Sequence, residues 1–171
     1  EAMMKRGMAF VSEDRKTDGF VPLMSIRENE TLSILPSMSN RLGAVRRKEQ
    51  KEFTKKLSER MTDKYSSTEQ QVSSLRGGNQ EKGIIGRCVA AKPSIFMLDE
   101  PTRGVDVVAK SEIYNILTEM ASEGVLVVVF SSELEELLDV CDEIIALKTG
   151  EVVGRVVAAE VDKNTLMHMI S

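Results

Sequence analysis

The second half of the chain alternates short apolar runs with segments of helical periodicity, and this alternation constrains the fold more than any other feature. We predict strands over 94–98, 125–130 and 143–147 and helices over 78–91, 107–122 and 133–140. The run VLVVVF at 125–130 is apolar at every position instead of at alternate positions. Uninterrupted apolar strands joined by helices are typical of parallel strands that are buried on both faces. The sequence therefore predicts an α/β fold with a layered parallel sheet.

The flanking segments carry weaker patterns. Residues 1–72 are more polar, with a strand predicted over 8–12 and a helix over 26–34. Apolar residues recur at helical spacing among charged ones between 53 and 61, which predicts an amphipathic helix. A turn at 149–150 predicts a closing hairpin strand, EVVGRV, which is followed by a C-terminal helix.

Composition excludes several functional classes. The chain has 171 residues, of which 42% are hydrophobic, and this is enough for one principal domain. Its formal net charge of -4 gives no general attraction to nucleic acid or to anionic lipid. Aromatic residues make up 4% and tryptophan is absent, which disfavours a base-stacking surface. No apolar run approaches the roughly 20 residues needed to span a bilayer, and we expect a cytoplasmic protein.

Two adjacent carboxylates, Asp99 and Glu100 (the acid pair), end the apolar run SIFML. Ligands of open parallel sheets bind beyond the carboxyl ends of the strands, where these side chains are expected to project. Asp99 is predicted to hold Mg²⁺, and Glu100 is predicted to polarise a water aimed at a γ-phosphate. The alternative is that both residues only cap the turn before the helix at 107. The following Pro101 and Thr102 favour the first interpretation, because DEPT after an apolar strand is much rarer than DE alone.

A segment with two glycines, LRGGNQ at 75–80 (the glycine segment), stands at the start of a helical pattern. The first N–H groups of a helix lack partners within the helix, and the helix dipole is positive there. A glycine-rich helix start is therefore a candidate anion site. An ordinary glycine loop with a helix cap is the alternative, and the acid pair further along the chain argues against it.

The order of these motifs resembles that of the ATP-binding cassette (ABC) family. LRGGNQEK is similar to the signature motif, SIFMLDEPTRGVD to the Walker B strand and D-loop, and VVVFSSELEELL to the switch region. More narrowly, AFVSEDRKTDGF and MSIRENETLSIL resemble the second cassette of the double-cassette ATPases that drive bacterial importers of ribose, galactose and xylose. The resemblance implies a partial P-loop NTPase fold with a helical signature subdomain over 27–92, a RecA-like core over 93–158 and a C-terminal helix over 159–171.

The resemblance also implies a role for each candidate residue. Asp99 corresponds to the Mg²⁺-binding carboxylate, and Glu100 corresponds to the catalytic residue that orients the attacking water. Glu13 stands where many cassettes have a glutamine that senses Mg²⁺, and Gly104 and Asp106 lie on the D-loop. The residues implied to face ATP are Leu75, Arg76, Gly77, Gly78, Asn79 and Gln80 of the glycine segment, together with Glu13, Asp106 and Ser132. In this family the signature of one cassette closes over the ATP held by its partner cassette, so the nucleotide is expected at an interface.

Three departures from the family pattern are visible. No stretch fits the phosphate loop G-x-x-x-x-G-K-[ST]. We therefore expect a fragment of a longer protein that begins inside a cassette, lacks the N-terminal strands and the Walker A helix, and binds little ATP alone. Arg76 replaces a serine that usually contacts the γ-phosphate, and its longer guanidinium changes that geometry. Ser132 stands where many cassettes carry a switch histidine, and a hydroxyl cannot act as a charged γ-phosphate sensor.

The implied function is ATP hydrolysis coupled to bacterial sugar uptake, with ATP and Mg²⁺ as cofactors, at the inner face of the cell membrane. The implied partners are a second cassette, transmembrane permease subunits and, indirectly, a periplasmic or lipid-anchored sugar-binding protein. Two alternatives stay open: a non-hydrolysing interaction or regulatory module, and an ABC ATPase that acts outside transport. An uncovered apolar sheet surface would also promote self-association, so we expect a homo-oligomer.

Overall fold

A parallel three-stranded sheet organises the first of two units in the computed structural model, which describes residues 2–14, 19–62 and 65–171. Its strands are β1 (Met8–Val11), β2 (Ile95–Asp99) and β3 (Leu126–Phe130). They lie in the order β1-β2-β3, with Met8 opposite Ile95 and Ile95 opposite Leu126. The prediction of an α/β fold with a parallel sheet is therefore confirmed.

Helices connect and flank the strands in the described part of the first unit. They are α1 (Ala2–Lys5), α2 (Ile26–Thr31), α3 (Arg47–Arg60), α4 (Gly77–Ala90) and α5 (Val107–Ser122), with 3-10 segments at Leu32–Met38 and Val72–Ser74. α2 begins with a capping box, in which the Glu28 N–H donates to Ser25 Oγ and the Ser25 N–H donates to the Glu28 carboxylate. The helix predicted over 26–34 ends at Thr31 and continues as a 3-10 segment, because Pro36 lacks an N–H and its ring opposes a further α-helical turn.

The core lies on one face of the parallel sheet. Phe96 of β2 has no exposed surface and belongs to a buried apolar cluster with residues of α4 and α5. The opposite face is apolar but open, since Phe10 is 54% exposed, Leu126 59% and Phe130 45%. The prediction that VLVVVF is buried on both faces is therefore wrong, because α4 and α5 pack against the Phe96 side only.

The second unit is built on a β-hairpin. It spans residues 131–171 and contains α6 (Leu134–Val140), β4 (Glu143–Lys148), β5 (Glu151–Val157), a 3-10 segment at Ala158–Glu160 and α7 (Lys163–Ile170). β4 and β5 pair antiparallel through the predicted turn, where Thr149 and Gly150 both have positive φ. The strand predicted over 143–147 is thus present, but it is not a member of the parallel sheet. A two-residue turn returns the chain beside itself and so produces only an antiparallel pair.

None of the helices described in either unit is long and apolar enough to cross a membrane. The predicted subdomain boundaries at 92/93 and 158/159 remain predictions.

A buried guanidinium ties α2 to the segment that precedes α4. Arg27 Nε donates to Glu69 Oε1 at 2.9 Å, and Arg27 also donates to the side chain of Gln50 on α3. Arg47 donates to Glu69 Oε2 at 3.1 Å. Hydrogen bonds from Arg27 and then from Arg47 lower the pKa of Glu69 to about 2.

This network makes the fold sensitive to acid. The pKa of Glu69 falls from 4.5 to about 2 on folding. The ionised carboxylate therefore stabilises the fold fully at pH values above 4.5, and this stabilisation is lost as the pH drops toward about 2. We expect Glu69→Gln to reduce the difference in unfolding free energy between about pH 5 and about pH 3, measured by urea titration. Glu52→Gln, on the exposed side of α3, is the control. An unchanged pH difference in the Glu69 variant would contradict the prediction.

Candidate functional site

β2 delivers the acid pair to the carboxyl edge of the parallel sheet. Asp99 is the last residue of β2 and lies opposite Phe130, the last residue of β3. Glu100 follows with a φ of 46°, in the left-handed region that residues other than glycine seldom adopt. Its N–H donates to the Phe130 carbonyl at 2.8 Å, and its carbonyl accepts from the Arg103 N–H at 3.1 Å. This backbone conformation begins the turn that follows β2 and leaves both carboxylates at the edge of the sheet.

A tight turn leads from the acid pair to α5. The Val105 N–H donates to the Thr102 carbonyl at 3.2 Å, and Gly104 has a φ of 69°. Asp106 then caps α5, because its Oδ1 accepts from the Ala109 N–H at 3.0 Å. The Asp106 carboxylate, predicted to face ATP, therefore also has a structural role at the helix start.

Glu13 lies at the same edge of the sheet. It stands two residues beyond the end of β1, and its carboxylate forms an ion pair with the guanidinium of Arg103. Both side chains are exposed, so the pair contributes only about 0–1 kcal/mol to stability. The structure thus brings Glu13 to the turn that follows the acid pair. Residues 15–18 of the segment AFVSEDRKTDGF lie outside the described residues.

The glycine segment forms the start of α4. Arg76 is the N-cap residue, with φ −70° and ψ 155°, and the helix begins at Gly77. The Arg76 side chain is exposed and makes no capping hydrogen bond. Gln80 Nε2 donates back to the Leu75 carbonyl at 2.9 Å, so this amide holds the segment together. Because Arg76 caps none of the first N–H groups, the helix start can receive an anion.

Arg76 is a weak cap in a favourable backbone geometry. We expect Arg76→Asn to raise the free energy of unfolding by about 1 kcal/mol, because an asparagine oxygen can accept from the N–H groups of the first turn. Arg76→Ala removes the guanidinium without adding a cap, so it is the matched control. Urea unfolding of the three proteins measures the difference, and equal stability of the two variants would contradict the assignment of Arg76 as N-cap.

A close contact joins the glycine segment to the start of α5. Gly78 is buried, and a Cβ at this position would lie 2.6 Å from Ala109 Cβ and 3.6 Å from Val105 Cγ1. The same Cβ would lie 3.7 Å from Asp106 Oδ2. The structure therefore places the glycine segment beside the turn that follows the acid pair. No pattern in a single sequence predicts this contact, because glycine and alanine have no functional group that would indicate which residues they pack against.

Lys82 is a buried residue near the glycine segment that sequence reasoning did not identify. Its side chain is 1% exposed, and Nζ donates to Glu112 Oε2 at 2.8 Å and to the Thr62 carbonyl at 2.7 Å. A lysine four residues after Gly78 lies on the same side of α4, which is the one sequence signal that could have located it.

Ser132 belongs to the second unit, where its side chain is exposed. The neighbouring Ser131 Oγ accepts from the Glu133 N–H at 3.0 Å, just before α6 begins. The predicted role of Ser132 toward ATP stays a prediction.

The residues present fit an Mg²⁺ ion that takes one protein carboxylate and receives its other ligands from phosphate oxygens and waters. Among the described residues, no group of three or more histidine, cysteine, aspartate or glutamate side chains could hold a metal. Asp99 offers one half-buried carboxylate at the sheet edge. Mg²⁺ is commonly held by one or two carboxylates with phosphate oxygens and waters, and Asp99 suits that pattern.

Comparison with known proteins gives one family. The profile of the family described as "ABC transporter" matches residues 1–103. A ribose import ATP-binding protein, RbsA, of Oceanobacillus iheyensis is 40% identical over 96% of this chain and 33% of its own length. A putative ribose/galactose/methyl galactoside import ATP-binding protein of Agrobacterium fabrum is 40% identical over 97% of this chain and 33% of its own length. The chain thus spans about a third of the length of the curated relatives it matches.

Solved structures share the fold. The dimeric structure of MJ0796, a bacterial ABC transporter cassette, has a TM-score of 0.75 at 22% identity and covers 91% of this chain and 65% of that chain. A post-hydrolysis state of the same cassette, bound to ADP and Pi, has a TM-score of 0.73 at 24% identity, with the same coverage. The likeness places the fold of this chain among the ATP-binding cassettes.

Proposed function

This chain belongs to the ABC transporter family, and we propose that it supplies the signature and Walker B parts of an ATP-hydrolysing cassette that drives monosaccharide import. The observation that carries the proposal is the convergence of Glu13 and the acid pair at the carboxyl edge of the parallel sheet. The names of the relatives refer to import of ribose, galactose and methyl galactoside, and these names favour a monosaccharide as the solute.

Each part of the site has a chemical role in this proposal. Asp99 would hold Mg²⁺, which would offset the negative charge of the phosphates. Glu100 would accept a hydrogen bond from the attacking water and so orient it toward the phosphate. The N–H groups at the start of α4 would donate to a phosphate held by a partner cassette. Glu13 would sense the cation from the adjacent strand end.

We further propose that the glycine segment contributes more to hydrolysis than the acid pair does. Ser132 offers no charge at the position of the common switch histidine, so the site that contains this chain's own acid pair would be degenerate. The glycine segment would instead complete a competent site on the phosphate loop of a partner cassette.

A protein that joins this chain to a phosphate loop tests the assignment. Gly77→Asp places a carboxylate at the start of α4, where it suits the helix dipole but repels a phosphate, and Gly77→Asn is the neutral control. We expect Gly77→Asp to lower the rate of ATP hydrolysis at least about tenfold, equal to about 1.4 kcal/mol, while Gly77→Asn and Glu100→Gln have smaller effects.

The reverse order would contradict the assignment. If Glu100→Gln abolished hydrolysis while Gly77→Asp left it intact, the acid pair and not the glycine segment would belong to the competent site. Calorimetry with Mg-ATP tests the wider proposal, because the absence of binding by the joined protein would remove the ATPase function itself.

The proposed partners follow from the proposed function in monosaccharide import. The chain would pair with a second cassette and dock on transmembrane permease subunits at the inner face of the membrane, with a sugar-binding protein as an indirect partner. By itself it would form a homo-oligomer through the open sheet face that carries Phe10, Leu126 and Phe130. Sedimentation that shows a monomer across micromolar concentrations would remove the homo-oligomer.

A further inference from the structure

Lys82 is among the largest fully buried side chains in the described residues, and it is the only lysine in that group. Moving an ammonium out of water costs several kcal/mol, which only good geometry and full hydrogen bonding can offset. Two short hydrogen bonds provide part of this compensation, since Nζ donates to Glu112 Oε2 at 2.8 Å and to the Thr62 carbonyl at 2.7 Å. An ion pair with one buried and one half-buried partner is poor evidence for stability. The relative position that it imposes on α4 and α5 is its more informative property.

The Lys82–Glu112 pair follows another close contact between α4 and α5. That contact is the approach of Gly78 to Ala109, where a Cβ on Gly78 would lie 2.6 Å from Ala109 Cβ. Lys82 follows Gly78 by four residues on α4, and Glu112 follows Ala109 by three residues on α5. The Lys82–Glu112 pair therefore lies one helical turn beyond the contact of Gly78 with Ala109, on the same side of each helix. Two contacts one turn apart fix both the sliding and the rotation of one helix against the other.

The N-terminal ends of α4 and α5 are the parts of these helices that have a proposed role in ATP hydrolysis. α4 begins with the glycine segment, and α5 begins at Asp106, which follows the turn after the acid pair. A shift of α4 along α5 would change the distance between these starts. Apolar packing alone resists such a shift weakly, because it is not directional, whereas a hydrogen-bonded ion pair has one favoured geometry.

We propose that Lys82 is a positioning residue that, through Glu112, holds the starts of α4 and α5 as one rigid pair. The proposal rests on the proposed ATPase function, because the Lys82–Glu112 pair would serve that function by fixing the distance between the glycine segment and the turn that contains Asp106. The Lys82 ammonium donates to Glu112 of α5 and to the Thr62 carbonyl. It acts by fixing where the first N–H groups of α4 lie relative to Asp106.

Hydrogen exchange on the full chain tests the proposal without nucleotide. The variant Lys82→Met/Glu112→Met replaces the ion pair by apolar side chains, an exchange that often leaves stability unchanged. We expect the first bonded amides of the two helices, at 80–84 and 110–113, to exchange at least about tenfold faster. Amides at 114–120 of α5 should keep their protection. The exposed pair Lys163–Glu135 of the second unit provides the control variant Lys163→Met/Glu135→Met, which should change nothing at either helix start.

Glu112→Gln keeps the proposal testable if the double variant does not fold. Glutamine keeps the size and one acceptor oxygen but removes the charge, so exchange at 80–84 and 110–113 should still accelerate by several-fold. Unchanged exchange at both helix starts in either folded variant would overturn the proposal. Uniform acceleration along all of α4 and α5 would also overturn it, because that result indicates loss of general stability instead of loss of position.

Hydrolysis kinetics separate this proposal from the proposed function. In the protein that joins this chain to a phosphate loop, Glu112→Gln should lower kcat about tenfold and leave KM for Mg-ATP unchanged, because Glu112 acts through the position of the glycine segment. If that protein does not hydrolyse ATP, the proposed function fails, and hydrogen exchange still decides whether Lys82 fixes the helix starts. A normal kcat in Glu112→Gln would overturn the positioning role even where ATP hydrolysis is present.

Discussion

Phe96→Ala is expected to lower the free energy of unfolding by about 3–5 kcal/mol. Phe96 lies in the central strand with no exposed surface and packs in the cluster that joins β2 to α4 and α5. Removing its ring loses the transfer free energy of the buried carbons and leaves a cavity between the sheet and the two helices, which the packed core cannot easily close. Urea unfolding followed by circular dichroism measures the loss.

Phe10→Ala is the matched control, because Phe10 is a phenylalanine of the same sheet on its open face. Phe10 is 54% exposed, so its loss should cost less than about 1 kcal/mol in the monomer. A large cost for Phe10→Ala that grows with protein concentration would show that the open face is covered by another copy. Equal and concentration-independent costs for the two variants would contradict the assignment of the core to one face.

Gly78→Ala is expected to lower the free energy of unfolding by about 1–3 kcal/mol, the usual cost of overpacking a buried contact. The added methyl would meet Ala109 Cβ at 2.6 Å, well inside normal contact distance. α4 and α5 would have to separate to admit it. The double variant Gly78→Ala/Ala109→Gly removes the opposing methyl, and its loss should be smaller than the sum of the two single losses.

Gly83→Ala, on the same helix, gives the opposite result. A Cβ at Gly83 meets no atom within 4 Å, and alanine favours the helix over glycine by about 0.5–1 kcal/mol. We therefore expect this variant to be more stable than the original chain. Equal effects of alanine at 78 and 83 would mean that Gly78 has no special contact with α5. The comparison also shows why a bulky residue at Gly78 is a poor probe of ATP binding, since it alters the fold as well.

Periodicity and turn chemistry predicted most of the elements. The helix predicted over 107–122 agrees with α5 as observed, and the other predicted strands and helices of the second half fall within one or two residues of their observed ends. These segments have strong patterns that local sequence determines, such as the cap at Asp106 and the turn at Thr149 and Gly150. The resemblance to the ABC family, which rested on whole motifs, was confirmed by the family profile.

The pairing of the strands and the burial of their faces were harder to predict from the sequence. The run at 143–147 looks like a parallel strand when read alone, and only its short turn to the next strand dictates antiparallel pairing. The run at 125–130 is apolar on both sides, but its exposure depends on which helices pack against it. The contact between Gly78 and Ala109 and the pair between Lys82 and Glu112 depend on the crossing of two helices. The spacing of four residues places Gly78 and Lys82 on one side of α4, but a single sequence does not indicate which residues of α5 they meet.

The fit between α4 and α5 has a consequence for how such chains recombine. The small residues at the crossing and the ion pair one turn away come from both helices. A crossover between residues 91 and 104 would join α4 of one parent to α5 of another, and a larger residue or a lost charge on either side would leave the two halves mismatched. Chimeras between relatives should therefore exchange residues 75–122 as a single block, and natural exchange within the family is expected to respect the same boundaries.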